Sequence, residues 1–344
     1  MKGRILPGGL MALGVAAWVT AALAMEPLPK SPPVPAGNPM SAAKVELGKQ
    51  LFFDPRLSLT GTVSCNSCHN VMAGGEDNRP NSVGVDGRKG GRSAPTVWNA
   101  AFMSVQFWDG RASTLEDQAK GPMVNPVEMG MADHSLVIKR IAAAPGYRRQ
   151  FQRVFGGRNA LTIDNVARAI AAYERTLITP NSPVDRYLGG NAKALSAAAV
   201  RGKDLVEKIG CVSCHSGPNF AGPVLESGQG FYQKFPTNEV AASVAKYDLK
   251  ADAGRFGVTK KEEDRNLWRV QTWRNVALTA PYFHNGSVPT LREAVTVMAK
   301  TQLDKDLTPA ESADIVAFLE GLTGEFPRQT LPRLPATSGT SLVD

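Results

Sequence analysis

Two short strings decide the reading of this chain: Cys65-Asn66-Ser67-Cys68-His69 and Cys211-Val212-Ser213-Cys214-His215. C-x-x-C-H is the attachment pattern of a c-type haem, in which two thiols bond the porphyrin vinyls and the adjoining His ligates the iron. The spacing has a physical origin, because one short loop must hold both sulfurs at the porphyrin edge while the imidazole reaches the metal. Together the strings use all four cysteines and two of the four histidines. Other uses fit poorly. A zinc site wants nearby ligand pairs, and these lie 146 positions apart (211 − 65). A thioredoxin-like C-x-x-C leaves the repeated His unexplained, and cysteines this close are poor partners for stapling a large fold. Two covalently bound haem c groups are expected.

The N-terminus agrees with export, which haem attachment requires. Lys2 and Arg4 precede an apolar run from Leu10 to Leu23, and Ala22-Leu23-Ala24 has the small-x-small form of a cleavage site. This predicts a signal peptide over 1–24. An uncleaved anchor is the alternative, but the run is short for a bilayer span. The mature chain is expected in the periplasm, with no stable membrane span. Loss of Lys2 and Arg4 lowers the formal charge from +8 to +6 (8 − 2). The remaining basic residues are dispersed, which suits an acidic protein partner and excludes a nucleic-acid footprint.

Residues 25–40 form a proline-rich arm, with Pro27, Pro29, Pro32, Pro33, Pro35 and Pro39. Helical patterns dominate beyond it. Thr308-Pro309-Ala310-Glu311 is a capping box followed by an apolar stripe through Ile315, Phe318 and Leu322, and Ile163 to Ile178 carries a similar stripe. The fold class expected is mainly α: two cytochrome c-like haem domains, 41–186 and 187–322, related by an internal repeat, with little β structure. An irregular tail, 323–344, is expected to pack back on the first domain.

The repeat has a second mark. Pro95-Thr96-Val97-Trp98-Asn99-Ala100-Ala101-Phe102 aligns with Gln271-Thr272-Trp273-Arg274-Asn275-Val276-Ala277-Leu278 at an offset of 176 (275 − 99). The same offset pairs Asp109-Gly110 with Asn285-Gly286 and Thr114-Leu115 with Thr290-Leu291. Helix starts are expected from capping boxes at Ser113/Glu116 and Thr290/Glu293. The second half holds an insertion of 30 residues (176 − 146), running through Tyr232 to Asp264, read as a loop region.

The sixth position of each iron decides its function: filled by a strong ligand, a haem passes electrons; left open, it binds small molecules. Met298, two turns into the helix opening at Thr290, is a candidate ligand, while Met123, Met129 and Met131 compete in the first half. Packing in the core is the plain alternative for each.

The runs Gln106-Phe107-Trp108-Asp109-Gly110-Arg111, Gln118-Ala119-Lys120-Gly121-Pro122, Asn125-Pro126-Val127-Glu128-Met129 and Leu278-Thr279-Ala280-Pro281-Tyr282-Phe283-His284-Asn285-Gly286 resemble the bacterial dihaem cytochrome c peroxidases. The likeness extends from Ser41 to Pro327. It implies a peroxidatic haem with His69 as proximal ligand and an electron-receiving haem ligated by His215 and Met298. It places Glu128 as distal acid, Gln118 as distal amide and Trp108 as the aromatic residue between the haems, and it demotes the competing methionines to packing. Burial would bring the Glu128 carboxyl towards the working pH, suiting it to move a proton during O–O cleavage. His284 is expected as a hydrogen-bonded interior group, and His134 as a surface residue near a helix start.

Two departures from the family pattern matter. Many members carry a blocking His in the loop matching Ser82-Val83-Gly84-Val85-Asp86-Gly87, where this chain has Val85; Asp86 is the one nearby group able to approach the iron. The family also binds calcium, matched here at Thr279 and Pro281, but with Ser93 where Asn is expected. The resemblance implies reduction of hydrogen peroxide with electrons from a small cytochrome c or cupredoxin. The competing readings are a MauG-like oxidase modifying a partner protein, whose branch has Tyr at the position of Met298, and a dihaem electron carrier without catalysis. A homodimer is left open.

Overall fold

The computed structural model describes residues 25–239 and 241–337; the expected signal peptide, 1–24, lies outside the described residues, as do 338–344. Helices start where hydroxyl side chains stand ready to cap them. Ser41, Thr162, Ser196 and Thr308 each accept a hydrogen bond from the backbone N–H three positions on. They open the helices Ala42–Phe53, Ile163–Glu174, Ala197–Ile209 and Pro309–Glu320. Ala42–Phe53 packs on Ile163–Glu174, and Ala197–Ile209 on Pro309–Glu320.

A glycine sits at each crossing. A Cβ on Gly48 would lie 1.8 Å from the Ala169 carbonyl oxygen, and one on Gly202 1.9 Å from that of Asp314. Backbone meets backbone there, so neither side has a flexible group to yield. Gly48→Ala is expected to destabilise the fold by about 3 kcal/mol, the upper end for an overpacked core. An unchanged denaturation midpoint in that variant would show that the helix pair has slack.

Each pair carries its own core. Leu47, Leu51 and Phe52 pack with Ile170, Tyr173 and Met123 in the first. Val206, Phe220, Ile315 and Phe318 form the second, together with Val184 of the helix Pro183–Leu188, which spans the expected domain boundary. The chain ends tie the halves together. In the arm, Leu28 N–H donates to Asp185 and Asn38 donates to Glu116. In the tail, the Phe326 ring meets the Trp98 ring edge-on at 4.8 Å, and Lys49 donates to Thr330.

Several backbone conformations occur twice, 176 positions apart. Asn99 and Asn275 are both left-handed, with φ of 62° and 60°, and both side-chain amides donate to Thr179 Oγ1 at 2.8 Å. Phe107 and Phe283, with φ of 67° and 70°, take a conformation that bulky residues rarely adopt. Bridges Gln106–Ala112 and Tyr282–Val288 then close matching turns.

Two local expectations are corrected. The first helix, Leu115–Val124, is capped by Thr114 rather than Ser113, and Glu116 turns away to Arg175. Thr290 does cap Leu291–Leu303, but Glu293 bonds Lys246 and Tyr247 instead of closing the box. In both cases a charged or phenolic donor outcompetes a backbone amide. The insertion is also more than a loop. Tyr232–Lys234 pairs antiparallel with Leu267–Arg269, and the short helices Ala242–Lys246 and Phe256–Thr259 lie between. Its side chains Phe235, Val244, Tyr247 and Leu249 build a third core with Trp268, Tyr282 and Val297. The pairing strand lies beyond the insertion, so only the folded chain reveals it. The expectation of a mainly helical chain with little β structure holds, with a single two-stranded sheet among the described residues.

Candidate cofactor and active site

Each C-x-x-C-H string opens onto a cavity. The first, about 470 Å³, is lined by Cys65, Cys68, His69, Gln118, Glu128 and Trp108. Cys65–Cys68 forms one helical turn whose N-terminal hydroxyls, Ser64 and Ser67, close a capping box. His69 Nδ1 donates to the Pro95 carbonyl at 3.0 Å, which leaves Nε2 free to meet a metal. Burial holds the His69 pKa below its ordinary value, so the ring is in the neutral, ligating form. Burial also pushes the Cys68 thiol up to about 11 and raises Cys65. Protonated thiols beside a large apolar void suit thioether formation better than a thiolate metal site.

The second cavity, about 260 Å³, is lined by Cys211, Cys214, His215 and Met298. His215 Nδ1 donates to the Phe220 carbonyl at 3.1 Å, and its ring stacks on Trp273 at 4.3 Å. Burial lowers the His215 pKa to about 4, again giving a neutral imidazole. The Leu291–Leu303 helix places Met298 in the wall of this cavity.

The two cavities differ in acid. Asp109, Glu128, Glu174 and Asp252 line the first, whereas no carboxylate lines the second. Glu128 follows the Leu115–Val124 helix in a turn held by its own N–H on the Asn125 carbonyl, 3.0 Å. Its Oε1 accepts from Asn125 Nδ2 at 2.7 Å. Burial raises its pKa, with Arg111 and the Asn125 hydrogen bond pulling the other way. Gln118 stands one turn into the same helix and lines the same cavity.

Between the cavities stands Trp108, which lines both. Its Nε1 donates to the Ser93 carbonyl at 2.8 Å, and its own carbonyl accepts from Arg269 N–H. Arg92 bonds Asp109 and Asp252, and Arg255 donates to the Asp109 carbonyl, so the insertion grips the Trp108 turn. Sequence reasoning missed Arg269, which lines both cavities, is buried and hydrogen-bonds Phe107 O and Gln271. Burial lowers its pKa to about 10, so it stays cationic, and it makes no ion pair among the described residues. A buried arginine looks like any surface arginine in sequence, so no signal marked it.

These walls fit haem. Trp98 Nε1 in the first cavity, and Trp268 Nε1 and His284 Nε2 in the second, are buried with no hydrogen-bond partner. Orphaned polar atoms and a buried guanidinium with no ion pair among the described residues match a flat apolar group carrying acidic substituents. His284 is thus interior as expected, stacked on Trp268 at 4.1 Å, but the expected hydrogen bond is missing at Nε2 because the ring faces the cavity. His134 begins a helix and bonds the Lys120 carbonyl. Met123 and Met131 pack in the first core, while Met129 packs there and also lines the first cavity. Val85 is fully buried, with its N–H on the Glu128 carbonyl, and it does not line the cavity; Asp86 pairs with Arg88 at the surface. Thr279, Pro281 and Ser93 share the second cavity, where every protein oxygen is neutral.

Comparison with known proteins follows the same lines. Residues 42–193 match the family described as di-haem cytochrome c peroxidase, and residues 275–302 match a RoxA-like, cytochrome c-like family. The cytochrome c551 peroxidase of Pseudomonas aeruginosa is 43% identical over 99% of this chain and 98% of its own length. The methylamine utilization protein MauG of Methylorubrum extorquens is 35% identical over 89% of this chain and 86% of its own. Among solved structures, a MauG-like protein associated with microbial copper homeostasis superposes with a TM-score of 0.76 at 32% identity, covering 87% of this chain and 95% of its own. The chain therefore belongs to the di-haem cytochrome c peroxidase family and is a peroxidase enzyme of that family.

Proposed function

We propose that the enzyme reduces hydrogen peroxide to water in the first cavity, in the periplasm, with electrons taken singly from a small cytochrome c or cupredoxin through the second. The observation that carries this reading is the uneven placement of acid. Four carboxyl groups line the cavity of His69, and among the described residues none lines the cavity of His215 and Met298. An electron carrier has no use for that difference. The periplasm is supported by the signal-like N-terminus, and a c-type donor by the Pseudomonas relative's name. The paired backbone features support reading the halves as diverged copies of one unit.

Bound at His69, a haem would supply the iron that holds peroxide and passes it electrons. The protein supplies the rest. Glu128 takes the proton from one peroxide oxygen and returns it to the other, so that H2O2, two electrons and two protons give two waters. The Gln118 amide holds the substrate by hydrogen bonding, and Trp108 joins the two cavities. Met298 would hold the second iron with His215, and its thioether would raise that haem's potential. Calcium at Ser93, Thr279 and Pro281 would have the Glu76 carboxyl nearby, held by Asn78, whose amide reaches the Leu278 and Ala280 carbonyls.

The test is an EPR spectrum of the oxidised protein joined to turnover with peroxide and a reduced cytochrome. One high-spin and one His/Met low-spin haem with turnover supports the peroxidase. Two six-coordinate haems without turnover would leave the carrier.

The Val85 loop makes a separate prediction. Gly84 N–H bonds Arg88 O and Gly90 N–H bonds Ser82 O, closing a small hairpin, and Gly84 lies against the Glu128 backbone. The loop thus puts no ligating side chain into the cavity. The fully ferric enzyme is expected to react with peroxide on mixing, without pre-reduction. A lag relieved only by reduction would point to another blocking group, with Met129 the first to examine.

A further inference from the structure

The first cavity holds a carboxyl group that the chemistry above leaves idle. Glu174 ends the Ile163–Glu174 helix, is 6% exposed, and lines the cavity with Phe52, Cys65 and Ile170. Its Oε2 is buried and finds no hydrogen-bond partner. The charges around it are committed elsewhere. Arg175, its neighbour, makes two bonds of 2.8 and 3.0 Å to Glu116 of the Leu115–Val124 helix. Glu116 also accepts from Asn38, whose oxygen accepts from Lys44 of the crossing Ala42–Phe53 helix. Arg175 spends both of these bonds on Glu116, so Glu174 makes no ion pair among the described residues. On the remaining side stands Cys65, whose thiol is raised by burial and then by the Glu174 charge. Burial therefore pushes the Glu174 carboxyl up to about 8, with the pull of Arg175 and the push of Glu116 secondary.

Around pH 8 this is a titrating acid, partly ionised, in the wall of a redox site, with one oxygen unclaimed. Such a group senses the charge of whatever fills the cavity. An arriving electron removes one unit of positive charge, which strengthens the hold of a nearby carboxyl on its proton. Resting on the reading that this cavity holds haem c, we propose that Glu174 is a second proton-holding group of the reaction, binding one proton as an electron arrives there and releasing it as the electron leaves. The electron comes from the reduced donor and the proton from solvent; an O–H bond forms on Glu174 as one breaks in a solvent hydronium or water. Glu128 moves a proton between peroxide oxygens, while Glu174 balances the charge that the electron brings. This divides the two tasks between two carboxyls on different elements, the Asn125–Glu128 turn and the end of the Ile163–Glu174 helix.

Redox titration of the holoenzyme over a pH range spanning about 8 tests the idea in wild type and Glu174→Gln. In the wild type the first haem's potential is expected to fall with pH, approaching one proton per electron. In Glu174→Gln that slope is lost, while the second haem behaves alike in both proteins. Equal slopes at the first haem in both proteins overturn the proposal. A second readout does not depend on that variant folding. Reduction-minus-oxidation infrared spectra, taken above pH 8 in Glu128→Gln so that Glu128 is silent, should gain a protonated-carboxyl band that shifts in D2O. Absence of that band also overturns it. Haem content distinguishes the two failures: a protein without two haem c groups per chain defeats the functional reading, whereas a fully loaded protein with no proton coupling defeats this inference alone.

Discussion

Glu128→Gln is expected to lower turnover by about 10²-fold or more while peroxide still binds, the scale on which a positioned acid–base group acts. The substitution keeps the volume, and the Gln oxygen still accepts the 2.7 Å bond from Asn125. What it removes is the ability to take a proton. The pH profile carries a further sign. Burial raises the Glu128 pKa, so the carboxylate needed to accept the first proton is lost as pH falls through a value above that of an ordinary glutamate. Wild-type turnover should decline on the acid side through that point, and Glu128→Gln should lack the decline. Stopped-flow binding and steady-state turnover measure the two parts separately. Near-normal turnover in Glu128→Gln would leave the residue a merely packed one.

Met298→His is expected to drop the second haem's potential by on the order of 0.1 V or more, within the range of about 0.8 V that axial ligands span. Thioether sulfur favours the reduced iron, and imidazole favours the oxidised. Met298 shares its cavity with His215, and no carboxylate there offers an alternative ligand. Electron uptake from the donor should slow with the drop, while direct reaction of the first haem with peroxide is spared. An unchanged redox titration and an unchanged low-spin spectrum would remove Met298 from the iron.

Local chemistry was legible from the string of residues wherever a function depends on spacing along the chain. The two C-x-x-C-H strings, the cap at Thr308 and the Asn99/Asn275 turns all depend on neighbours a few positions apart, and each appears where the spacing put it. The resemblance to a known family added Trp108, Glu128, Gln118 and Met298, and these residues line the cavities. Glu116 and Glu293 show where such reading ends. Each stands at capping-box spacing, yet each is claimed by a residue far away in sequence, Arg175 in one case and Lys246 with Tyr247 in the other.

The amino-acid string determined the cofactor class and the mainly helical architecture, because covalent attachment, capping and apolar periodicity are short-range properties. Tertiary structure alone decided which charges are buried and which are answered. Arg269 and Glu174 resemble surface residues in sequence, and the insertion resembles a loop until Tyr232–Lys234 meets Leu267–Arg269. Desolvation is the physical reason. The cost of a charge, and hence its pKa and its use, depends on how many groups fold over it, and those groups come from segments that only the completed fold brings together.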